Sequence, residues 1–345
     1  MRIAFVNDTF LEGRGADTVI YELARRLGRK NKVYVIASEA NFKEENFRIL
    51  RIKAAKLYQG RITDYFYFQK IRQFRKEILA LNKKYKFDIF NVHHSALNLA
   101  FKGLPTVVTW HGSPKTKNVA RILLGKFTLA FLRRNPKVVS ISSYLARKLS
   151  GYAPKDKIVI INDGVSEDFK PTWQDKNFML FVGRHEPHKR VDEIIKLSQE
   201  TNFPLFIAGS GPLTDKLRRY AKKIMANKVR FLGKVNRRRL VSLYQNCSFF
   251  VSASRWEGFG LIFLEAGACG KPSIAYNMCS MPEVIKNNRT GFLVNNHKEF
   301  REKAMELIKN RNLRKSMGKE AFNFSKDFSW DKIADKYEKL FKSIK

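Results

Sequence analysis

Short apolar runs that stop at glycine or at a polar cluster recur along this 345-residue chain, and stretches with apolar residues at helical spacing separate them. Arg2 to Val6, Lys32 to Ala37, Asp88 to His94, Pro105 to Trp110 and Lys137 to Ser140 form the first series. Phe178 to Val182, Leu205 to Ala208, Val229 to Leu232, Cys247 to Ser252 and Pro272 to Tyr276 form the second. Continuous apolar character, in place of strict alternation, predicts strands covered on both faces, as in parallel sheets. Val19, Leu23 and Leu27 mark one intervening helix, and Ile71, Phe74, Ile78 and Leu81 another. Ile122 to Leu132 marks a third, and Ile333, Tyr337 and Phe341 a last one. The alternation predicts an α/β chain, and its length favours two domains over one.

In open α/β sheets ligands lie outside the carboxyl ends of the strands, so the residues leaving each run are the candidates for chemistry. The strand Cys247 to Ser252 leads into Glu257-Gly258-Phe259-Gly260-Leu261 and then a helix carrying Glu265. A retaining glycosidase pair stands about 5–5.5 Å apart. On one regular helix the two carboxylates would be roughly 12 Å and about 80° apart, which argues against an acid/nucleophile pair. A division of labour fits better, with Glu257 in the loop meeting one polar part of a ligand and Glu265 another. Gly13 and Gly15 open a helix after the first strand and let backbone N–H groups approach a ligand, with Gly15 before Ala16 preferred and Arg14 set between them. His111 leaves a strand before Gly112. Gly183 precedes Arg184, with Lys189 close behind, and together they offer a fork of donors and a compact charge to a diphosphate. Gly209 ends another strand.

Glu257 to Glu265 resembles the E-x7-E signature of the retaining nucleotide-sugar glycosyltransferases of glycosyltransferase family 4, and further landmarks follow in order over nearly the whole chain. The resemblance implies the GT-B architecture: two Rossmann-like doubly wound parallel-sheet domains facing across a cleft, here 1–168 and 169–327, with 328–345 as a helix crossing back to the first domain. It implies transfer of a hexose or N-acetylhexosamine from a nucleoside-diphosphate sugar, UDP ahead of GDP, with retention, no cofactor and no metal. His111, Glu257, Arg184 and Lys189 take the catalytic positions. Gly13, Gly15, Gly183, Gly209, Gly258, Phe259, Gly260, Leu261 and Glu265 join Arg184, Lys189 and Glu257 around the donor, and domain closure would exclude water. A nucleotide-sugar epimerase or a phosphorylase on the same architecture is the alternative. The acid/base set of the one and the lysine environment of the other are not recognisable.

Charge adds a second theme. The chain holds 67 Lys+Arg against 31 Asp+Glu, a formal net charge of +36, and no acidic residue lies between Asp88 and Asp156. Such a field attracts polyanions: nucleic acid, anionic headgroups or phosphorylated carriers. No nucleic-acid signature stands out, so a specific nucleic-acid partner is not expected. Tyr58 to Lys86 mixes aromatic and basic residues over an amphipathic stripe, suited to docking on the core or to an anionic membrane surface. The acceptor expected is therefore a glycan, lipid or polyprenyl-linked sugar. No apolar run reaches the ~18 residues of a membrane span. Met1 to Asp8 is too soon polar for a signal peptide, which with three unpaired-looking cysteines predicts a cytoplasmic chain, peripheral at the inner membrane face. His185 and His188 have metal-ligand spacing, but Pro187 disfavours a helical pair.

Overall fold

The computed structural model describes residues 1–13, 15–53, 67–112 and 126–344. They fall into two compact units, Met1–Asp163 with Trp330–Lys345, and Gly164–Ser329. The breaks come at 163/164 and 329/330 instead of 168/169 and 327/328. The physical reason is local: Val165 bridges to Ser329, and its N–H donates to the Phe328 carbonyl at 2.7 Å, so 164–169 is held by the second unit.

The first unit contains β1 (Arg2–Val6), β2 (Thr9–Phe10), β3 (Lys32–Ala37), β4 (Glu39–Ala40), β5 (Phe47–Arg51), β6 (Ile89–Val92), β7 (Thr106–Trp110), β8 (Lys137–Ser140) and β9 (Ile158–Ile160). Seven of these form one parallel sheet in the order β5-β3-β1-β6-β7-β8-β9. Strand order reverses between β1 and β6, which places the switch point at the ends of those strands. Successive side chains of β1 serve opposite faces: Ile3 and Phe5 join one core, Ala4 and Val6 the other. Helix Gly15–Leu27 and the last helix, Trp330–Lys342, cover the first face with Val19, Leu23, Ile333, Tyr337 and Phe341. Helix Tyr67–Tyr85 covers the second with Ile71, Phe74 and Ile78. That stripe is thus spent on the core, and what the helix offers outward is cations together with exposed Phe68 and Leu79. The earlier part of the aromatic stretch, Tyr58 to Phe66, the start of the Ile122 to Leu132 helix, and Arg14 lie outside the described residues. Between β1 and helix Gly15–Leu27 lies β2, paired with β4 and not marked by the apolar pattern; two residues are too few to show a period.

The second unit contains β10 (Met179–Val182), β11 (Leu205–Ala208), β12 (Val229–Gly233), β13 (Phe249–Ser252), β14 (Ser273–Tyr276) and β15 (Gly291–Val294). They form a parallel sheet in the order β12-β11-β10-β13-β14-β15. The reversal here lies between β10 and β13, whose exits carry Arg184 to Lys189 and Arg255 to Gly260. Met179 and Phe181 pack into one core with Ile194, Ile195 and Phe300. On other sides of the sheet Leu180 and Phe250 are fully buried, and Phe250 meets Tyr244 and Phe263.

Candidate active site

In the second unit the two strand exits meet. Lys189 Nζ donates to Glu257 Oε1 at 2.7 Å, with side chains 14% and 10% exposed. The two residues, read separately as a diphosphate contact and as a contact to another polar part of the ligand, are one ion pair. An ammonium has three donors and a carboxylate about four acceptor positions, so the pair leaves both ends able to bind further groups. The loops that carry it are tied a second time. Glu193 receives Arg190 at 2.7 Å, Arg255 at 3.1 Å and the Tyr276 hydroxyl at 2.7 Å. Arg255 also lies over the Tyr276 ring, 3.8 Å from its centroid, and its N–H donates to the His188 carbonyl. Glu193, Arg255 and Tyr276 were not singled out from sequence, because their meeting joins three elements far apart in the chain.

The glycine turn is fixed from behind. The buried Ser280 hydroxyl stands 3.0 Å from the carbonyls of both Glu257 and Phe259. Gly260 has φ +99°, and a Cβ there would stand 2.9 Å from the Phe263 ring, so only glycine suits the position before helix Leu261–Ala268. Because that helix begins at Leu261, Glu257 and Glu265 do not share it. Phe259 is buried against Phe328, which leaves only its backbone for a ligand. Gly258 is buried beside it, and Leu261 is partly exposed. Glu265 is partly exposed; burial of its carboxyl raises it to about 7, against the pull of Arg237.

Arg184 is largely exposed, paired with Glu186 at 3.0 Å. Gly209 owes its identity to Gly183, because a Cβ on Gly209 would fall 2.0 Å from the Gly183 carbonyl oxygen, whereas a Cβ on Gly183 would stand 3.2 Å from the Phe181 ring. His185 is directed inward, with Nδ1 2.9 Å from the Thr214 hydroxyl. Among the described residues no group of three or more His, Cys, Asp or Glu is placed to hold a metal ion.

In the first unit, Gly13 has φ +81°, and Gly15 is the first residue of its helix; among the described residues a Cβ on either would meet nothing within 4 Å. The loop before them is anchored by buried Asp17, which accepts from Asn7 at 2.6 Å, Thr9 at 3.0 Å and the Leu11 N–H at 2.9 Å. His111 follows β7 and is partly buried, with Nε2 2.9 Å from His93 Nδ1. His93 Nε2 stands 2.7 Å from Asn91 Oδ1, and the Asn91 amide N–H groups point to the Thr109 hydroxyl at 2.9 Å and the Val107 carbonyl at 3.2 Å. Burial lowers His93 well below the usual imidazole range, and lowers His94 and His111 to about 4. The signal for this line was present in the sequence: Asn91 and Thr109 are polar residues inside otherwise apolar strands.

Residues 13–169 match the family model described as Glycosyltransferase Family 4, and residues 166–324 the model described as Glycosyl transferases group 1. An uncharacterized glycosyltransferase of Methanocaldococcus jannaschii is 32% identical over 70% of this chain and 69% of its own length. The GalNAc-alpha-(1->4)-GalNAc-alpha-(1->3)-diNAcBac-PP-undecaprenol alpha-1,4-N-acetyl-D-galactosaminyltransferase of Campylobacter jejuni is 27% identical over 100% of this chain and 99% of its own. Among solved structures, Anabaena HepE in complex with UDP and glucose superposes with a TM-score of 0.81 at 15% identity, covering 99% of this chain and 100% of that one. Glycosyltransferase models match successive halves of a chain whose two parallel-sheet units place charged and polar side chains at their strand ends, and the chain belongs to the GT-B glycosyltransferases.

Proposed function

We propose that the chain is a retaining transferase that moves a hexosyl or N-acetylhexosaminyl group from a UDP-sugar to a lipid- or polyprenyl-linked glycan acceptor, without a metal. The observation that carries this reading is the Lys189–Glu257 pair beside the turn that opens helix Leu261–Ala268. The C1–O bond to the diphosphate breaks while the acceptor oxygen bonds to C1 on the same face, and the acceptor proton passes to the departing phosphate oxygen. Negative charge builds on that phosphate, so fixed cations lower the barrier most when already in place. Lys189 supplies one of them, held by Glu257, and exposed Arg184 supplies another. Glu257 keeps acceptor positions for sugar hydroxyls, fixing C1 relative to the acceptor. Glu265 takes the ribose hydroxyls. In the first unit, His111 takes a donor-sugar hydroxyl, and the backbone at Gly13 and Gly15 serves the diphosphate.

The HepE complex supports UDP, and the Campylobacter enzyme's undecaprenol-diphosphate acceptor supports a polyprenyl-linked one. A peripheral position at the inner membrane face agrees with the cationic side of Tyr67–Tyr85 and with exposed Phe68; no described helix is long and apolar enough to cross a membrane. Melting of the chain with UDP, GDP and ADP, each near a hundredfold over its dissociation constant, tests the donor assignment. The true nucleotide adds about 2.7 kcal/mol, several degrees at this size. A shift with GDP or ADP alone would overturn the UDP assignment; no shift with any would remove Arg184, Lys189 and Glu265 from the donor site.

A further inference from the structure

The hydrogen bonds behind His111 leave its proton a single place. Asn91 presents its amide nitrogen to the Val107 carbonyl, which can only accept, and to the Thr109 hydroxyl, so its Oδ1 is the atom facing His93. An amide oxygen accepts, and His93 therefore carries its proton on Nε2. His93 is 4% exposed and neutral, so its Nδ1 has only a lone pair to offer. His111 Nε2, 2.9 Å away, must donate to it. His111 is neutral as well, which leaves its Nδ1 bare. The line is anchored at its far end, where the Thr109 hydroxyl stands 3.2 Å from that of buried Tyr337. The two imidazole rings meet edge to edge, tilted by 29° with centroids 5.2 Å apart, as a hydrogen bond between ring nitrogens requires, and this fixes the plane of the His111 ring as well as its proton.

We propose that His93 is a positioning residue that holds His111 in its Nε2–H form, so that His111 meets the substrate as an acceptor, through Nδ1, of a sugar hydroxyl proton. This rests on the assignment of His111 to the donor sugar. It deepens that assignment by excluding donation from His111 to a phosphate oxygen, because the one proton on the ring is already engaged by His93.

Long-range proton–nitrogen spectra of the full chain labelled with 15N-histidine test it directly. The chain has six histidines, so single substitutions assign every signal. At neutral pH the wild-type His111 is expected to show a protonated Nε2 and a bare Nδ1. His93→Phe should give a mixture of tautomers and lower kcat roughly tenfold to a hundredfold with little change in donor KM. His93→Gln, whose carbonyl still accepts from His111, should restore the single tautomer and most of the rate. A His111 protonated on Nδ1 in the wild type overturns the proposal, and so does a His93→Phe chain with unchanged tautomer and kcat. If His93→Phe does not fold, the wild-type spectrum alone decides. His111→Ala separates the underlying assignment: an unchanged rate there removes His111 from the substrate, whereas a wrong tautomer overturns the role of His93 alone.

Discussion

At the ends of β6 and β7 the buried polar groups are neutral and joined in one line, while at the ends of β10 and β13 they are charged and paired. Neutral groups in a line control direction, because each proton is fixed by its neighbour. Paired charges control potential, because each cation is kept in place by a carboxylate without being consumed. The first arrangement suits sugar hydroxyls, which need an acceptor at a set angle. The second suits a diphosphate, whose charge must be met from an enclosed surface.

The largest effect expected breaks the charged side. Lys189→Met leaves the Glu257 carboxylate buried and alone, which costs about 3–5 kcal/mol of stability. It should also lower donor turnover by about 10²–10³. Lys189→Met with Glu257→Gln should recover much of the stability and none of the turnover, as read by melting and by rate. Recovery of the rate would show the pair to be structural. Arg184→Ala is the sharper partner, because an exposed ion pair such as Arg184–Glu186 adds little to stability. Its melting point should stay, and its UDP affinity should fall.

The next effect separates direction from charge by pH. Burial raises the Glu265 carboxyl to about 7, and if Glu265 takes the ribose hydroxyls it does so best when ionised. Binding then releases a proton at pH values below about 7. UDP affinity should rise with pH up to about 7 and level off above it, by up to about tenfold per unit. Glu265→Gln should flatten that slope in titration calorimetry. A slope that survives the substitution belongs to another group.

Ser280→Ala ranks third. Loss of the hydroxyl leaves the buried Glu257 and Phe259 carbonyls short of a donor, at about 1–3 kcal/mol. The turn is what sets Glu257 beside Lys189, so kcat should fall with the melting point, whereas Ser280→Thr should keep most of both if its methyl group is accommodated.

Strands were legible because runs such as Phe178 to Val182 and Pro272 to Tyr276 are apolar throughout, and Lys189, Glu257 and His111 were legible because they leave such runs. Their partners were not. Lys189 and Glu257 are 68 positions apart, and nothing local in either stretch announces the other. Gly209 reads as a ligand-binding glycine but has a sufficient reason in the carbonyl of Gly183, a contact between neighbouring strand ends. The loop Asp8 to Ala16 hid its anchor for the same cause, since Asp17 reaches back to Asn7 and Thr9.

Gly15 offers the smallest effect and the cleanest separation between fold and ligand. It begins a helix at ordinary φ, and among the described residues a Cβ there would meet nothing within 4 Å, so the described part of the first unit has no need of glycine. Gly15→Ala should therefore leave the melting point unchanged or raise stability by about 0.4–1 kcal/mol, through the unfolded chain. If the backbone at this position lies against the diphosphate, the added methyl group should still weaken UDP binding several-fold. The same substitution would then make the apo protein more stable and the nucleotide-induced shift smaller. Equal shifts in the two proteins would confine diphosphate recognition to the charged groups at the ends of β10 and β13, and leave the first unit with hydroxyls alone.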